Sequence, residues 1–167
     1  MRFVIIGGDA AGMSAASRGK RLDSGMEVIV LEQTSDVSYS ACGMPYNIAD
    51  PERSMDDLVV RAAQTFRDKQ SIDVRLGHRV EGIDRGNKKV TGRTSGGEKF
   101  EVEYDKLLIA TGARPVILDV TGRDLPGVLP LKSLEDGRQI KRFVVEHGVK
   151  SGLILGMGYI GREMAEA

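Results

Sequence analysis

The chain has 167 residues, 24 basic side chains against 24 acidic ones, and 41% apolar content. That suits one domain, or one domain and part of a second. The balanced charge gives no footprint for nucleic acid or an anionic membrane surface. No apolar run approaches a membrane span, MRFVIIGG is too short for a signal peptide, and a single cysteine excludes an intrachain disulfide and suits a reducing, cytoplasmic setting.

The run RFVII over residues 2–6 is short, apolar and rich in β-branched residues, which predicts a buried parallel strand. Gly7-Gly8-Asp9-Ala10-Ala11-Gly12 follows at once. A helix is expected over about 11–22, ended by Asp23-Ser24-Gly25. EVIVL over 27–31 reads as a second strand with Glu32 at its end. Strand, glycine turn, helix, strand and acid make a dinucleotide-binding βαβ unit. Gly7 permits the tight turn, and Gly12 lets the helix lie close to the strand. Ala11, Ala15 and Ala16 keep that approach close. The helix N-terminus offers N–H groups to a pyrophosphate, and Glu32 can accept from ribose hydroxyls. Asp9 stands where the usual pattern has its middle glycine. Its carboxylate is expected to point away from the phosphates, or to meet them through a water or an ion.

The next segment, Ser38-Tyr39-Ser40-Ala41-Cys42-Gly43-Met44-Pro45-Tyr46, holds the only cysteine. Apolar residues at 44, 46, 48 and 49 suggest that a short helix opens there. A thiol at such a start is favoured as thiolate by backbone N–H groups. The alternative is an inert, buried cysteine.

Further on, residues 62–70 read as a helix, and 72–75 and 79–83 as short strands. The alternating runs 88–93 and 99–103, joined by Thr94-Ser95-Gly96-Gly97, signal a hairpin. Three short strands here predict an antiparallel meander inserted into a parallel architecture. Leu107 to Ala110 is another buried strand, ending at Thr111-Gly112-Ala113-Arg114-Pro115. Residues 116–130 read as a loop. Residues 133–146 read as a helix capped by Ser133, and 151–155 as an apolar strand. Gly156-Met157-Gly158-Tyr159-Ile160-Gly161 then gives a full G-x-G-x-x-G, and the sequence runs out in the helix that follows. The fold class expected is α/β: a doubly wound parallel sheet with a small meander and a truncated second dinucleotide unit. The expected division is residues 1–150 and 151–167. His78 and His147 with Cys42 form no metal-ligand spacing, so no metal is expected.

VIIGGDAAGMSAA, SYSACGMPY, LLIATGARP and LILGMGYIGREMAE occur here in the order found in the pyridine nucleotide–disulfide oxidoreductases. The chain resembles the N-terminal part of that family's single-cysteine branch, which includes coenzyme A-disulfide reductases, NADH oxidases and peroxidases, and polysulfide reductases. The resemblance implies FAD in the first unit and NADH or NADPH in the second. It implies electron flow from nicotinamide through flavin to cysteine and on to substrate. It assigns FAD contacts to Gly7, Gly8, Asp9, Ala10, Ala11, Gly12, Glu32 and Gln33, and to the Ala110-Thr111-Gly112 turn. Cys42 matches the redox-active cysteine. Gly156, Gly158, Tyr159, Ile160 and Gly161 match the nicotinamide dinucleotide turn, and Glu163 a glutamate near the nicotinamide. Tyr159 is read either as a cover over the flavin or as a partly buried turn aromatic. A homodimeric full-length parent is also implied.

With no second cysteine, the partner sulfur of Cys42 comes from a substrate as a mixed disulfide, or its place is taken by oxygen as a sulfenic acid. The resemblance divides the same way. Peroxide- and oxygen-reducing members carry a histidine where this chain has Ala10, which disfavours that reading. Ser14, Arg18 and Arg21 match nucleotide-tail positions of the coenzyme A-disulfide reductases, and their spacing places them on one helical stripe. The alternative is a solvated basic face. Ser38 is retained from the family pattern, whereas Ala41 replaces its asparagine. The substrate implied is a low-molecular-weight disulfide, persulfide or polysulfide, with NADH oxidase or peroxidase activity, or a binding fragment without turnover, as alternatives. With its second unit incomplete, this chain alone is expected not to turn over.

Overall fold

A computed structural model describes all residues, 1–167. The chain divides into two compact units, residues 1–39 with 59–112 and residues 40–58 with 113–167.

The first unit is built on a four-stranded parallel sheet. Its strands are β1 (Arg2–Ile6), β2 (Glu27–Leu31), β3 (Asp73–Arg75) and β7 (Lys106–Ile109), in the order β3-β2-β1-β7. β1 pairs with β2 from Arg2↔Glu27 to Ile6↔Leu31, and with β7 from Phe3↔Lys106 to Ile6↔Ile109. Strand side chains alternate between faces, so central β1 feeds two cores. Ile5 joins Val28 and Val30 under α1 (Ala10–Leu22) and α3 (Ala63–Gln70), with Met13, Ala16 and Phe66. Val4 and Ile6 join Ile29 and Leu31 on the opposite face, where they meet Val90 and Val102. Val4, Ile5, Val30 and Val90 are fully buried. Each contributes about 1.5–3 kcal/mol relative to exposure.

Val90 and Val102 belong to the antiparallel meander of β4 (His78–Asp84), β5 (Lys89–Thr94) and β6 (Lys99–Glu103). This is the predicted insertion, and Gly97 takes the positive φ of 86° that its turn requires. The strands expected at 2–6, 27–31 and 107–110 are in place to within one residue at their ends, but the last is not buried as expected: β7 is an edge strand paired only with β1, and its Ile109 is 61% exposed.

The helix α1 buries Gly12, Met13, Ala16 and Ser17 and carries Lys20 and Arg21 in its last turn, where they complement the dipole. Lys20 Nζ closes that end by donating to the carbonyls of Ser24 (2.7 Å) and Met26 (3.0 Å).

The second unit contains α2 (Met44–Ala49), a 3₁₀ turn over Met55–Leu58, α4 (Leu134–Glu146) and α5 (Tyr159–Glu166). α4 begins with a full capping box: Ser133 Oγ accepts from the Asp136 N–H, and Asp136 accepts in return from the Ser133 N–H at 2.7 Å. The expected strand at 151–155 does not form: those residues have no regular secondary structure and join no sheet. Leu153 and Leu155 are 86% and 67% exposed. An apolar β-branched run makes a parallel strand only where neighbours take up its N–H and C=O groups and cover both faces.

Candidate functional site

The ends of three strands converge on the first glycine turn. Gly7 sits at φ +106°, and a Cβ there would collide with the Ala110 carbonyl. Its N–H donates to Leu31 O at 2.9 Å. A Cβ on Gly12 would strike the Gly7 carbonyl oxygen, and one on Gly8 would lie 2.6 Å from Val37 Cγ1. The backbone therefore folds into a cradle that only glycine permits. Ala10 and Ala11 open α1 and are exposed, and the first N–H groups of the helix have no intrahelical partner.

Glu32 is 8% exposed at the end of β2. Its Oε2 accepts from the Gly8 N–H at 2.7 Å. Its Oε1 accepts from Thr34 N and Thr34 Oγ1, both at 2.8 Å. Glu32 is thus a strut of the turn as well as an acceptor. A carboxylate has about four lone-pair sites, so a ribose hydroxyl still finds a place on it. Gln33, next to it, is exposed and lines a polar cavity of about 330 Å³ with Thr34, Gly77, Arg79, Arg93 and Thr94.

Asp9 precedes α1 and makes no side-chain cap. Its Oδ1 is buried without a hydrogen-bond partner. That oxygen is therefore turned inward and not to solvent, although the residue as a whole is half-buried. On the neighbouring strand end, Ala110 donates to Ile6 O at 2.8 Å, while Thr111 and Gly112 are exposed and Gly112 takes φ +67°. The glycine cradle, the free helix start and the buried acid fit a dinucleotide.

Ser14, Arg18 and Arg21 all lie on the exposed stripe of α1, and neither arginine is paired with a carboxylate. Ser38 is held in the left-handed region at φ +50°, a costly place for serine. Its N–H donates to Gly8 O (3.1 Å) and its carbonyl accepts from Val60 N (2.9 Å). The glycine turn and the start of the cysteine segment are thereby tied together by backbone.

In the second unit, Cys42 is exposed and lies in a 3₁₀ turn, Ala41–Gly43, which runs directly into α2. The expectation of a short helix here is met, and Cys42 is not a buried thiol. The segment 40–58 is a loop closed at its base, where the Ser40 N–H donates to Leu58 O at 2.8 Å. Gly43 packs so closely on Leu58 that a Cβ would fall 2.7 Å from Leu58 Cδ2. Met44 and Met55 are buried. Asn47, only 1% exposed, donates from Nδ2 to Ser54 O at 2.8 Å.

The second glycine turn has its own local geometry. Gly156 adopts φ +105°, Gly158 caps α5, and a Cβ on Gly161 would strike Gly156 O. Tyr159 is 90% exposed at the start of α5, not a partly buried aromatic. Ile160 is exposed and Glu163 half-buried. Sequence reasoning did not identify Thr34, Val37, Asn47 and Lys141. Asn47 carried a signal, being an amide inside the apolar run 44–49; the others carried none.

The family model for pyridine nucleotide-disulphide oxidoreductases matches residues 1–167. The chain belongs to that family. It is 41% identical over 166 residues to the NAD(P)H coenzyme A polysulfide/persulfide reductase of Pyrococcus horikoshii, covering 99% of this chain and 36% of that protein. It is 36% identical over 165 residues to an NADH oxidase of Methanocaldococcus jannaschii, covering 99% and 37%. Among solved structures, an NAD-dependent persulfide reductase from A. fulgidus superimposes with a TM-score of 0.93 at 37% identity, covering 99% of this chain and 31% of that one. This family member therefore spans little more than a third of the length of its curated relatives. No helix in it is long and apolar enough to cross a membrane, and no group of three or more His, Cys, Asp or Glu side chains is placed to hold a metal ion.

Proposed function

We propose that the chain is the FAD-binding portion, residues 1–150, and the start of the NAD(P)-binding portion, residues 151–167, of a disulfide oxidoreductase. Its electron acceptor is coenzyme A disulfide or a related persulfide or polysulfide. FAD held at Gly7, Gly8, Ala10, Ala11, Gly12, Glu32, Gln33 and the 110–112 turn would supply a two-electron carrier between NADH or NADPH and sulfur. Glu32 takes the ribose hydroxyls, and the exposed start of α1 takes the pyrophosphate. Asp9 reaches that pyrophosphate only through a bridging water or cation, since two anions do not share a hydrogen bond.

The observation that carries the reading is the exposed Cys42, the single thiol of the chain. As thiolate it attacks one sulfur of the substrate disulfide, forms a mixed disulfide and releases the other sulfur as a thiolate. The electron pair that reopens the mixed disulfide regenerates the Cys42 thiolate and frees the second product. Arg18 and Arg21, exposed and unpaired, supply guanidinium forks for the phosphates of a coenzyme A tail, with Ser14 on the same stripe and Ser38 bonded through its N–H to Gly8 O as further substrate contacts. Ala10 stands where a histidine would serve the oxidase alternative. Gly156, Gly158, Tyr159, Ile160, Gly161 and Glu163 form the opening of the nicotinamide dinucleotide turn. The active parent is a homodimer.

The test uses the full-length parent with NAD(P)H and, in turn, coenzyme A disulfide, polysulfide and oxygen. Replacing Arg18 and Arg21 together is expected to raise KM for coenzyme A disulfide more than it lowers kcat. An unchanged KM, or oxygen outrunning both sulfur substrates, overturns the acceptor assignment.

A further inference from the structure

The Cys42 loop is clamped by a group that lies almost a hundred residues away in sequence. Lys141, on α4, sends its ammonium into a nest of four oxygens. Nζ donates to Asn47 O at 2.8 Å, Asn47 Oδ1 at 3.2 Å and Asp50 O at 2.7 Å, and also to Arg53 O. Asn47 is fully enclosed, and its amide nitrogen is already spent on Ser54 O. One lysine therefore closes the C-terminal end of α2 and ties down the turn that follows it.

We propose that Lys141 is the positioning residue for the Cys42 thiol. The proposal rests on the reading of Cys42 as the reactive sulfur. Three carbonyls and a side-chain amide oxygen directed at one point repel one another unless a cation stands among them. Charge-assisted bonds of this kind are the stronger class, and removing the donor leaves two of the four acceptors, Asn47 Oδ1 and Arg53 O, without a partner. Without Lys141, Asn47 O and Asp50 O keep only the 3.3 Å bonds from the Asp50 and Arg53 N–H groups, and Asn47 Oδ1 and Arg53 O lose their donor. Cys42 sits two residues after the base of the same loop closes at Ser40–Leu58 and two residues before α2 begins. A shift of α2 is therefore passed directly to the sulfur.

The surrounding contacts set α4 in register for this role. Leu134, Gly137 and Lys141 fall on one face of the helix. Leu134 is buried, and Gly137 is small because Met55 lies over it: a Cβ there would come 2.7 Å from Met55 Cε. Arg138 adds an exposed pair with Asp56 at 2.7 Å, which is of the weak surface kind.

The experiment measures alkylation of Cys42 by iodoacetamide, followed by intact mass across pH at a temperature well below unfolding, together with amide exchange of residues 47–54. Lys141→Met keeps the apolar stem and removes the cation. It is expected to change the alkylation rate by about threefold or more, to alter its pH profile, and to speed exchange of 47–54 by about tenfold. Lys141→Ala with added methylammonium is expected to recover the wild-type profile, since the small cation can re-enter the nest. Arg138→Ala is expected to leave both readouts unchanged. If Lys141→Met does not fold, Lys141→Arg gives the same comparison, because a planar fork does not satisfy four convergent oxygens. Wild-type alkylation and exchange in the folded variant, or no recovery with methylammonium, overturns the proposal. Because the readout is alkylation rather than turnover, failure of the disulfide-reductase reading leaves this result standing, and the converse also holds.

Discussion

The two glycine turns are nearly the same object in two different settings. Gly7 and Gly156 have φ values of +106° and +105°. A Cβ on Gly12 or on Gly161 would collide with the carbonyl of its first glycine, and would then meet the methyl of Ile5 at 3.2 Å or of Ile154 at 3.5 Å. Met13 N donates to Asp9 O and Arg162 N to Gly158 O, both at 3.0 Å. Their surroundings differ. Gly7 is wedged against Ala110 and donates to Leu31, whereas nothing lies within 4 Å of where a Gly156 Cβ would be. β1 is paired on both sides; 151–155 is paired on neither. The turn is therefore a local property of glycine spacing and a helix start. The strand that leads into it is a property of its neighbours.

The widest gap is expected in amide exchange. Amides of 3–6 and 28–31 should exchange slower than those of 151–155 by a factor on the order of a thousand or more, because only the former donate into a covered sheet. Comparable protection of 151–155 would break the comparison outright. Next comes the matched pair Gly12→Ala and Gly161→Ala. The clash at Gly12 is with backbone inside a packed core, so a loss of about 3 kcal/mol or more is expected in urea unfolding. The clash at Gly161 is of the same kind, but that turn can open without disturbing a sheet. Its unfolding midpoint should stay near wild type, and equal losses would show the second turn to be as integrated as the first.

This contrast also explains what could be read in the sequence. Strand 2–6, helix α1, strand 27–31 and Glu32 were legible because short apolar β-branched runs, glycine spacing and an acid at a fixed distance are local signals with one shared outcome. The meander was legible for the same reason, through Gly97 and its alternating flanks. The run 151–155 carried an equally good local signal and formed no strand, since burial on two faces is not encoded in five residues. Lys141 was invisible for the opposite reason. A lysine on a helix is ordinary, and only the fold shows that its stem ends among the oxygens of Asn47, Asp50 and Arg53.

A smaller effect separates the two roles of Glu32. Glu32→Ala leaves the Gly8 N–H without its acceptor and should cost about 1–3 kcal/mol before any dinucleotide is present. Glu32→Gln keeps one acceptor oxygen and should recover part of that loss. FAD affinity is expected to fall in both variants. A Glu32→Ala chain as stable as wild type would mean that the acid serves only the ribose, and the first turn would then lose one of the supports that distinguish it from the second.

The smallest effect lies at the far end of the sheet that supports the first turn. Asp105 and Arg2 bond reciprocally across the start of β7 and β1. The Arg2 N–H donates to Asp105 Oδ2 at 2.5 Å, and the Asp105 N–H donates to Arg2 O at 2.9 Å. The hydrogen bond from the Arg2 N–H holds the Asp105 carboxyl below its ordinary 3.8, with attraction from the chain's amino terminus, Lys88 and Arg2 adding to it and desolvation opposing it. A carboxylate whose folded value is depressed stabilises the fold above its unfolded value, and that contribution is lost as pH falls through the folded value. Asp105→Asn should therefore melt slightly below wild type at neutral pH, and the two curves should converge as pH drops below 3.8. Solvent exposure keeps the difference small. The measurement is Tm against pH for both proteins. A gap that persists or widens in acid would show that the side chain acts through shape and not charge. The pairing of β1 with β7 beneath the first turn would then owe nothing to this carboxylate's ionisation.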